Sequence, residues 1–199
     1  MALLQEAPPR WFTALARRTR SSGLRVLTSR NVCPRLQAIL ADWHPDLIAS
    51  WEGGSNQILV RHPGRVLEHR RMTLAWRPEQ RRMHWARLEL PAEGRVCVAN
   101  LHASAGLPSQ ASRELPAAAD AALEWSTSDP LVLGGDFNLR PARQPEPFAR
   151  LRELGFSGPT AGDAIDHLLA RGLRVVEAPA RLAPLGLSDH LPVAAAFVR

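Results

Sequence analysis

The chain has 199 residues, of which 45% are hydrophobic and 22% are charged, and its formal net charge is +6 at pH 7. This length and composition predict one soluble globular domain with a single large core. No apolar run is long enough to cross a bilayer, which excludes an integral helical membrane protein. The first residues lack a basic segment followed by a long apolar stretch, so we expect a cytoplasmic protein unless further N-terminal residues change this.

The basic residues are unevenly distributed. All 25 of them are Arg. Residues 1–35 contain seven Arg and one acid, and residues 61–87 contain eight Arg and two acids, so each segment has a net charge of +6. The remaining residues carry −6 and contain most of the candidate metal ligands. This pattern fits a polyanionic substrate that approaches an acidic pocket across a basic surface, but solvated Arg side chains on helix and hairpin faces explain it equally well.

The apolar pattern predicts strands that alternate with helices, without repeats. The predicted strands are residues 2–5, 24–29, 57–61, 66–76, 83–90, 95–101, 131–134, 165–170, 173–176 and 192–198; the predicted helices are residues 8–20, 34–43, 109–125 and 148–154. In the first helix we expect Trp11 and Leu15 to point inward. Residues 66–76 and 83–90 read as an antiparallel hairpin. The pattern predicts an α/β (α+β) fold in which two sheets pack together beneath outer helices.

The run Gly134-Gly135-Asp136-Phe137-Asn138 follows the predicted strand 131–134. If strand geometry continues, Asp136 and Asn138 lie on one side and Phe137 points into the core. The alternative is a turn whose Asp and Asn bond the local backbone.

Asp166 interrupts an apolar strand, where an unpaired charge is costly, so it needs a partner such as His190 or a metal ion. Asp163 competes for the same role, although Gly162 beside it indicates a turn. Ser188-Asp189-His190 combines a carboxylate with the side chain that titrates near neutrality. The alternatives are an edge-strand carboxylate facing water for Asp166 and a surface loop for Ser188-Asp189-His190.

His102 follows the predicted strand 95–101, and Glu6 precedes Pro8-Pro9. Taken alone, His102 reads as a structural histidine and Glu6 as a residue that favours a helix N-terminus. The whole set suits phosphate-ester hydrolysis with a hard divalent cation.

Five short motifs together resemble the endonuclease/exonuclease/phosphatase superfamily. They are Leu4-Gln5-Glu6, Asn100-Leu101-His102, Gly135-Asp136-Phe137-Asn138, Ile165-Asp166-His167 and Ser188-Asp189-His190. Residues 54–59 also resemble the family's Gly-Asn-x-Ile-Leu segment, with one additional residue. The family includes deoxyribonuclease I, repair exonucleases, sphingomyelinases and inositol-polyphosphate phosphatases.

The resemblance implies a four-layer α/β/β/α sandwich with two mainly antiparallel sheets, formed by residues 1–199 as a single domain. It assigns the following roles: Glu6 and Asp189 to the metal site, Asp136 to the attacking water, His102 and Asn138 to the scissile phosphate, Asp166 and His190 to acid–base work, and Asn56 and Asn100 to substrate binding. Family members begin with a strand that carries a metal-site Asn, whereas only Met1–Leu4 precede Gln5. We expect this first strand to be missing, either because the start is drawn too late or because this form lacks the strand.

The function that the resemblance implies is a phosphodiester hydrolase dependent on Mg²⁺ or Mn²⁺, nuclease-like, acting as a monomer on a phosphoester substrate that includes nucleic acid. The alternatives are a phosphomonoesterase or lipid phosphodiesterase of the same fold, or a catalytically impaired basic binding module.

Overall fold

A computed structural model of the protein describes residues 1–28, 54–77, 79–184, 186 and 188–199. The predicted helix over residues 34–43 and Cys33 lie outside the described residues. The described strands are β1 Ala2–Ala7, β2 Ser21–Leu27, β3 Ser55–Arg61, β4 Arg65–Ala75, β5 Arg81–Leu90, β6 Gly94–His102, β7 Leu131–Asp136, β8 Asp166–Arg171, β9 Arg174–Arg181 and β10 Val193–Val198. The described helices are α1 Trp11–Arg18, α2 Pro108–Ser126 and α3 Pro145–Glu153.

One layer is a five-stranded sheet in the order β4-β5-β6-β7-β8. Neighbouring strands in this sheet run antiparallel, except for β6 and β7, which run parallel. A parallel pair needs a crossover, and α2 provides it between β6 and β7. The parallel pairing brings the C-terminal ends of β6 and β7 to the same edge of the sheet.

The second sheet layer consists of a three-stranded sheet, β1-β3-β2, and the hairpin of β9 and β10. Strands β1 and β3 contact β6, and β10 contacts β8. The core between the two layers is aliphatic and contains Ile58, Val60, Ala86, Leu88, Val98 and Val132. Burial of these side chains holds the layers together and fixes β1 over the end of the five-stranded sheet.

Helices α2 and α3 cover the opposite face of the five-stranded sheet. This second core contains the largest fully buried side chains, among them Trp85, Phe137 and Phe148. The indole N–H of Trp85 donates to Ser126 Oγ at 3.0 Å, which satisfies its polar atom inside the core. Phe137 points into the core as the sequence predicted.

The layered α/β/β/α fold predicted from sequence is confirmed, but the first helix differs from the expectation. Helix α1 has no buried residue, and Trp11 is 52% exposed rather than turned inward. Among the described elements α1 packs chiefly on β2, a strand of the smaller sheet, and within this part of the chain the contact buries none of the helix's side chains.

Candidate active site

Three adjacent strands carry polar residues at one edge of the five-stranded sheet, where β6 and β7 end and β8 begins. The register pairs His102 of β6 with Asp136 of β7, and Asp136 with Asp166 of β8. Hydrogen-bonded strands lie about 4.8 Å apart, so these three positions form a row. His102 Nε2 lies 3.5 Å from Asp136 Oδ2. The sheet therefore brings together residues that are far apart in the sequence.

Gly135 allows β7 to approach β6 closely at this edge. Its φ angle is +129°, and a Cβ atom on it would lie 2.0 Å from the carbonyl oxygen of Leu101. Only glycine adopts this conformation without strain and leaves room for that carbonyl. The glycine before Asp136 thus determines where the Asp136 carboxylate lies.

Asn138 follows β7 in the left-handed region, with φ of +51°. Its backbone N–H donates to Asp136 Oδ1 at 2.9 Å, and its side-chain amide donates to the carbonyl oxygen of Ala103 at 3.0 Å. Strand geometry therefore stops at Asp136, and the structure has the turn with a local backbone bond that was the alternative to a continued strand. These bonds orient the Asp136 carboxylate and tie the end of β7 to the segment that follows His102.

Asp166 and His190 form the closest acid–base pair of the site. His190 Nδ1 lies 2.9 Å from Asp166 Oδ2. Asp163, the competing candidate, is exposed and instead pairs with Arg181 at 3.0 Å. The choice between the two carboxylates is thus decided by the position of His190.

Glu6 reaches the same edge from the second layer. It lies at an irregularity in the pairing of β1 with β3 and has a φ angle of +52°. Non-glycine residues rarely adopt this region, and such strain concentrates at functional sites. Glu6 Oε1 lies 3.6 Å from His102 Nδ1.

Asn100 is fully buried and fastens β1 to the sheet beneath it. Its Nδ2 donates to the carbonyl oxygens of Leu4 and Gln57, and its Oδ1 accepts from Gln5 Nε2 at 2.6 Å. Asn56, also fully buried, donates to the carbonyl oxygen of Arg82 at 2.8 Å. The substrate contacts expected of these two residues stay predictions, and their bonds favour a positioning role.

Asp189 is exposed beside the pair of Asp166 and His190 and accepts from Ser188 Oγ at 3.4 Å. Its charge acts on both neighbours. A metal-binding role for Asp189 stays a prediction.

Sequence reasoning missed Arg81 and Glu114. Arg81 Nη1 lies 2.8 Å from His102 Nδ1 and 3.3 Å from Glu6 Oε1. The Glu114 carboxylate, buried on α2, accepts from the backbone N–H and the hydroxyl of Ser104 at 2.7 and 2.6 Å, which holds the segment after His102. The basic character of residues 61–87 signalled a functional arginine without distinguishing Arg81. Nothing in the local sequence marked Glu114.

The electrostatics of the site follow from burial and clustered charge. Burial raises the pKa of Asp136 to about 6, and the nearby charge of Asp166 adds to the rise. Burial, aided by Arg81, lowers the pKa of His102 to about 3, so its imidazole is neutral. For His190, burial opposes the charged form, but the charges of Asp166 and Asp136 outweigh it and raise its pKa. The site thus combines the neutral imidazole of His102, the more basic imidazole of His190 and the neighbouring carboxylates of Asp136 and Asp166.

The donor set fits a hard divalent cation. Asp136, Asp166 and His190 offer one ligand atom each, all within 4.8 Å of one another. Carboxylate oxygens are the donors that Mg²⁺ and Mn²⁺ favour, and a cation would relieve the crowding that raises the pKa of Asp136. These three donors form one group. Glu6, the ligand predicted from the sequence, lies on the other side of His102 from this group.

Comparisons with known proteins identify the family and the fold of the chain. The sequence model of the Endonuclease/Exonuclease/phosphatase family matches residues 2–190. No curated protein matches the chain. None of the described helices is both long and apolar enough to pass through a membrane.

Several solved structures share the fold. The human Nocturnin catalytic domain, solved with a bound sulfate anion, is 18% identical with a TM-score of 0.70, over 98% of this chain and 80% of that one. An endonuclease/exonuclease/phosphatase protein from Bacteroides vulgatus is 17% identical with a TM-score of 0.72, over 98% and 83%. The mannosyl-6-phosphatase of Bacteroides thetaiotaomicron is 15% identical with a TM-score of 0.68, over 98% and 84%. With its sequence match and this fold, the chain belongs to the endonuclease/exonuclease/phosphatase family.

Proposed function

We propose that the protein is a divalent-metal-dependent phosphodiester hydrolase with nuclease-like activity. The observation that carries the proposal is the meeting of Glu6, His102, Asp136, Asp166 and His190 at one edge of the sandwich. These residues come from β1, β6, β7, β8 and the segment before β10. Five elements that converge on one acidic and imidazole-rich edge are difficult to explain by folding requirements alone.

In this proposal Asp136 accepts a proton from the attacking water, as a buried carboxylate with a raised pKa is able to do. Asp166 orients His190 through its 2.9 Å contact, and His190 binds a phosphoryl oxygen or protonates the leaving oxygen. The neutral imidazole of His102 and the amide of Asn138 border the position of the scissile phosphate.

Glu6 and Asp189 are the proposed ligands of Mg²⁺ or Mn²⁺; Glu6 lies beside His102, and Asp189 lies beside the pair of Asp166 and His190. The cation supplies neutralisation of the negative charge that develops on the phosphoryl oxygens. The basic segment over residues 61–87 supports a polyanionic substrate, because Arg70 and Arg71 on β4 are exposed.

The test is hydrolysis of bis(p-nitrophenyl) phosphate and of plasmid DNA by the purified chain in Mg²⁺ or Mn²⁺. We expect release of p-nitrophenol and nicking of the plasmid, both stopped by EDTA. Cleavage of p-nitrophenyl phosphate alone would replace the proposal with a phosphomonoesterase. DNA binding without any cleavage would replace it with a binding module.

A further inference from the structure

Arg81 is the one described arginine that is buried at the candidate site. Arg81 is the first residue of β5, where it pairs with Ala75 of β4, and its side chain is 7% exposed. Nη1 lies 2.8 and 2.9 Å from the two ring nitrogens of His102, and Nη2 lies 2.7 Å from Glu79. The guanidinium therefore lies against the imidazole that borders the proposed phosphate position.

Two carboxylates neutralise this buried guanidinium, and both are mostly exposed. The side chain of Glu6 is 64% exposed and that of Glu79 is 60% exposed. A buried guanidinium needs a compensating charge, so at least one such partner must be present at all times. Glu79 at 2.7 Å is the closer partner, while Glu6 at 3.3 Å makes the looser contact.

Glu6 is also the residue proposed to hold the divalent cation, and it cannot fully serve both partners. If Glu6 turned toward a bound cation, its contact with Arg81 Nη1 would weaken, while Glu79 would keep its contact with Nη2. The freed N–H of Nη1, beside His102, would then need a new acceptor, and a phosphoryl oxygen of the proposed substrate is a suitable one.

We propose that Arg81 is a further catalytic residue whose guanidinium exchanges Glu6 for a phosphoryl oxygen of the substrate. The inference rests on the proposed function and adds to it an ordered coupling between the metal and phosphate sites. A guanidinium suits the role because it forms charge-assisted bonds with phosphate and never loses its proton. By linkage, a cation bound at Glu6 raises the affinity for phosphate, and phosphate raises the affinity for the cation by the same factor.

The experiment is calorimetric titration of the full chain with inorganic phosphate, in the presence and absence of Mn²⁺, and separately with Mn²⁺ alone. The variants are Arg81→Gln and Arg81→Lys. The control Arg65→Gln removes the same charge from an exposed pair with Glu89, at the opposite end of the hairpin of β4 and β5.

With Mn²⁺ present, we expect Arg81→Gln to bind phosphate about 10- to 100-fold more weakly than the wild type, as for loss of one hydrogen bond to a charged group. Its affinity for Mn²⁺ alone should stay equal or rise, because Glu6 is released and a nearby positive charge is gone. Arg81→Lys should recover part of the phosphate affinity, and Arg65→Gln should behave as the wild type.

An exchange predicts that Arg81→Gln weakens phosphate binding but leaves Mn²⁺ binding equal or stronger, which distinguishes it from a structural role of Arg81. A collapsed site would weaken Mn²⁺ and phosphate binding together, and that result would overturn the proposal. Unchanged phosphate affinity in Arg81→Gln with Mn²⁺ bound would also overturn it. Hydrolysis by the wild type is measured separately, so an inactive wild type contradicts the proposed function while the binding titrations still decide the role of Arg81.

Discussion

At the scale of single residues, the candidate site depends on a carboxylate that burial makes less acidic. Asp136 is 6% exposed, with a neutral imidazole on one side and the carboxylate of Asp166 on the other. Changing Asp136→Asn keeps the shape of the side chain and removes its charge. We expect hydrolysis to fall roughly 100-fold or more, as for loss of a general base, while the melting temperature stays unchanged or rises.

The measurement is kcat on bis(p-nitrophenyl) phosphate together with thermal unfolding. Asp163→Asn is the matched control, because Asp163 is exposed and pairs with Arg181 away from His190. Near-normal turnover in Asp136→Asn would remove Asp136 from the mechanism.

A second residue-scale prediction concerns His84, which is buried between the sheets away from the proposed ligands. Burial, with the charge of His69 on β4, lowers its pKa to about 4, although a bond with the backbone of Asn56 on β3 opposes this. Between pH 6.5 and 4 the unfolded chain binds a proton at His84 while the folded chain does not. Stability is therefore greatest above pH 6.5 and is lost as the pH falls toward 4.

We expect the free energy of unfolding to decrease by up to ~3 kcal/mol between pH 6.5 and 4 on account of this residue. Urea denaturation of the wild type and of His84→Gln across this range checks it, and the variant should show a shallower slope. His69→Gln is the control, since His69 is exposed and should leave most of the slope intact. Identical slopes in the wild type and His84→Gln would contradict the assignment.

At the scale of elements, the end of β7 is set by contact with β6. Gly135→Ala places a methyl group against the Leu101 carbonyl oxygen, in a conformation that alanine avoids. Since the obstacle is backbone, the strand must shift, and we expect a loss of roughly 3 kcal/mol or more in stability. The shift also moves Asp136, so hydrolysis should fall with stability.

The comparison is with Gly158→Ala, because an added Cβ at Gly158 meets no atom within 4 Å. Urea denaturation and kcat of the two variants are measured side by side. Equal stability of Gly135→Ala and Gly158→Ala would show that β7 does not depend on this close approach.

Element prediction succeeded where the pattern was strong and failed where exposure decided. The buried runs over residues 131–134 and 95–101 became β7 and β6, because short apolar runs suit strands that are buried on both faces. Helix α1 formed near its predicted place, but within the described residues it contacts chiefly β2, and Trp11 is exposed there.

At the scale of the whole molecule, hydrolysis should depend on a divalent cation, because the site joins carboxylates from separate layers. We expect EDTA to abolish hydrolysis, and Mg²⁺ or Mn²⁺ to restore it better than Ca²⁺ or Zn²⁺, because the described donors are mainly carboxylate oxygens. Ligands that bind only the folded state stabilise it, by about 2.7 kcal/mol at a hundredfold excess over Kd.

Saturating Mg²⁺ should therefore raise the melting temperature of the wild type, and this rise should shrink in Glu6→Gln. Both are measured by thermal unfolding, with the exposed Glu124→Gln on α2 as the control. Full activity in excess EDTA would contradict a metal-dependent mechanism.

The sequence by itself indicated most of the candidate site residues and the succession of strands along the chain. The cost of a charge within an apolar strand indicated a partner for Asp166, whereas Asp136, His102 and His190 were indicated by the family motifs that contain them. The family motifs then determined the layered fold. These are local signals, and each lies within a few residues of the chain.

Only the tertiary structure decided which of these residues meet. The register of β6, β7 and β8 aligned His102, Asp136 and Asp166, and the position of His190 selected Asp166 over Asp163. Arg81 and Glu114 acquired their importance through contacts with residues 10 to 75 positions away. Such contacts arise from packing of layers and pairing of strands, which depend on the whole chain at once and leave no mark in the local sequence.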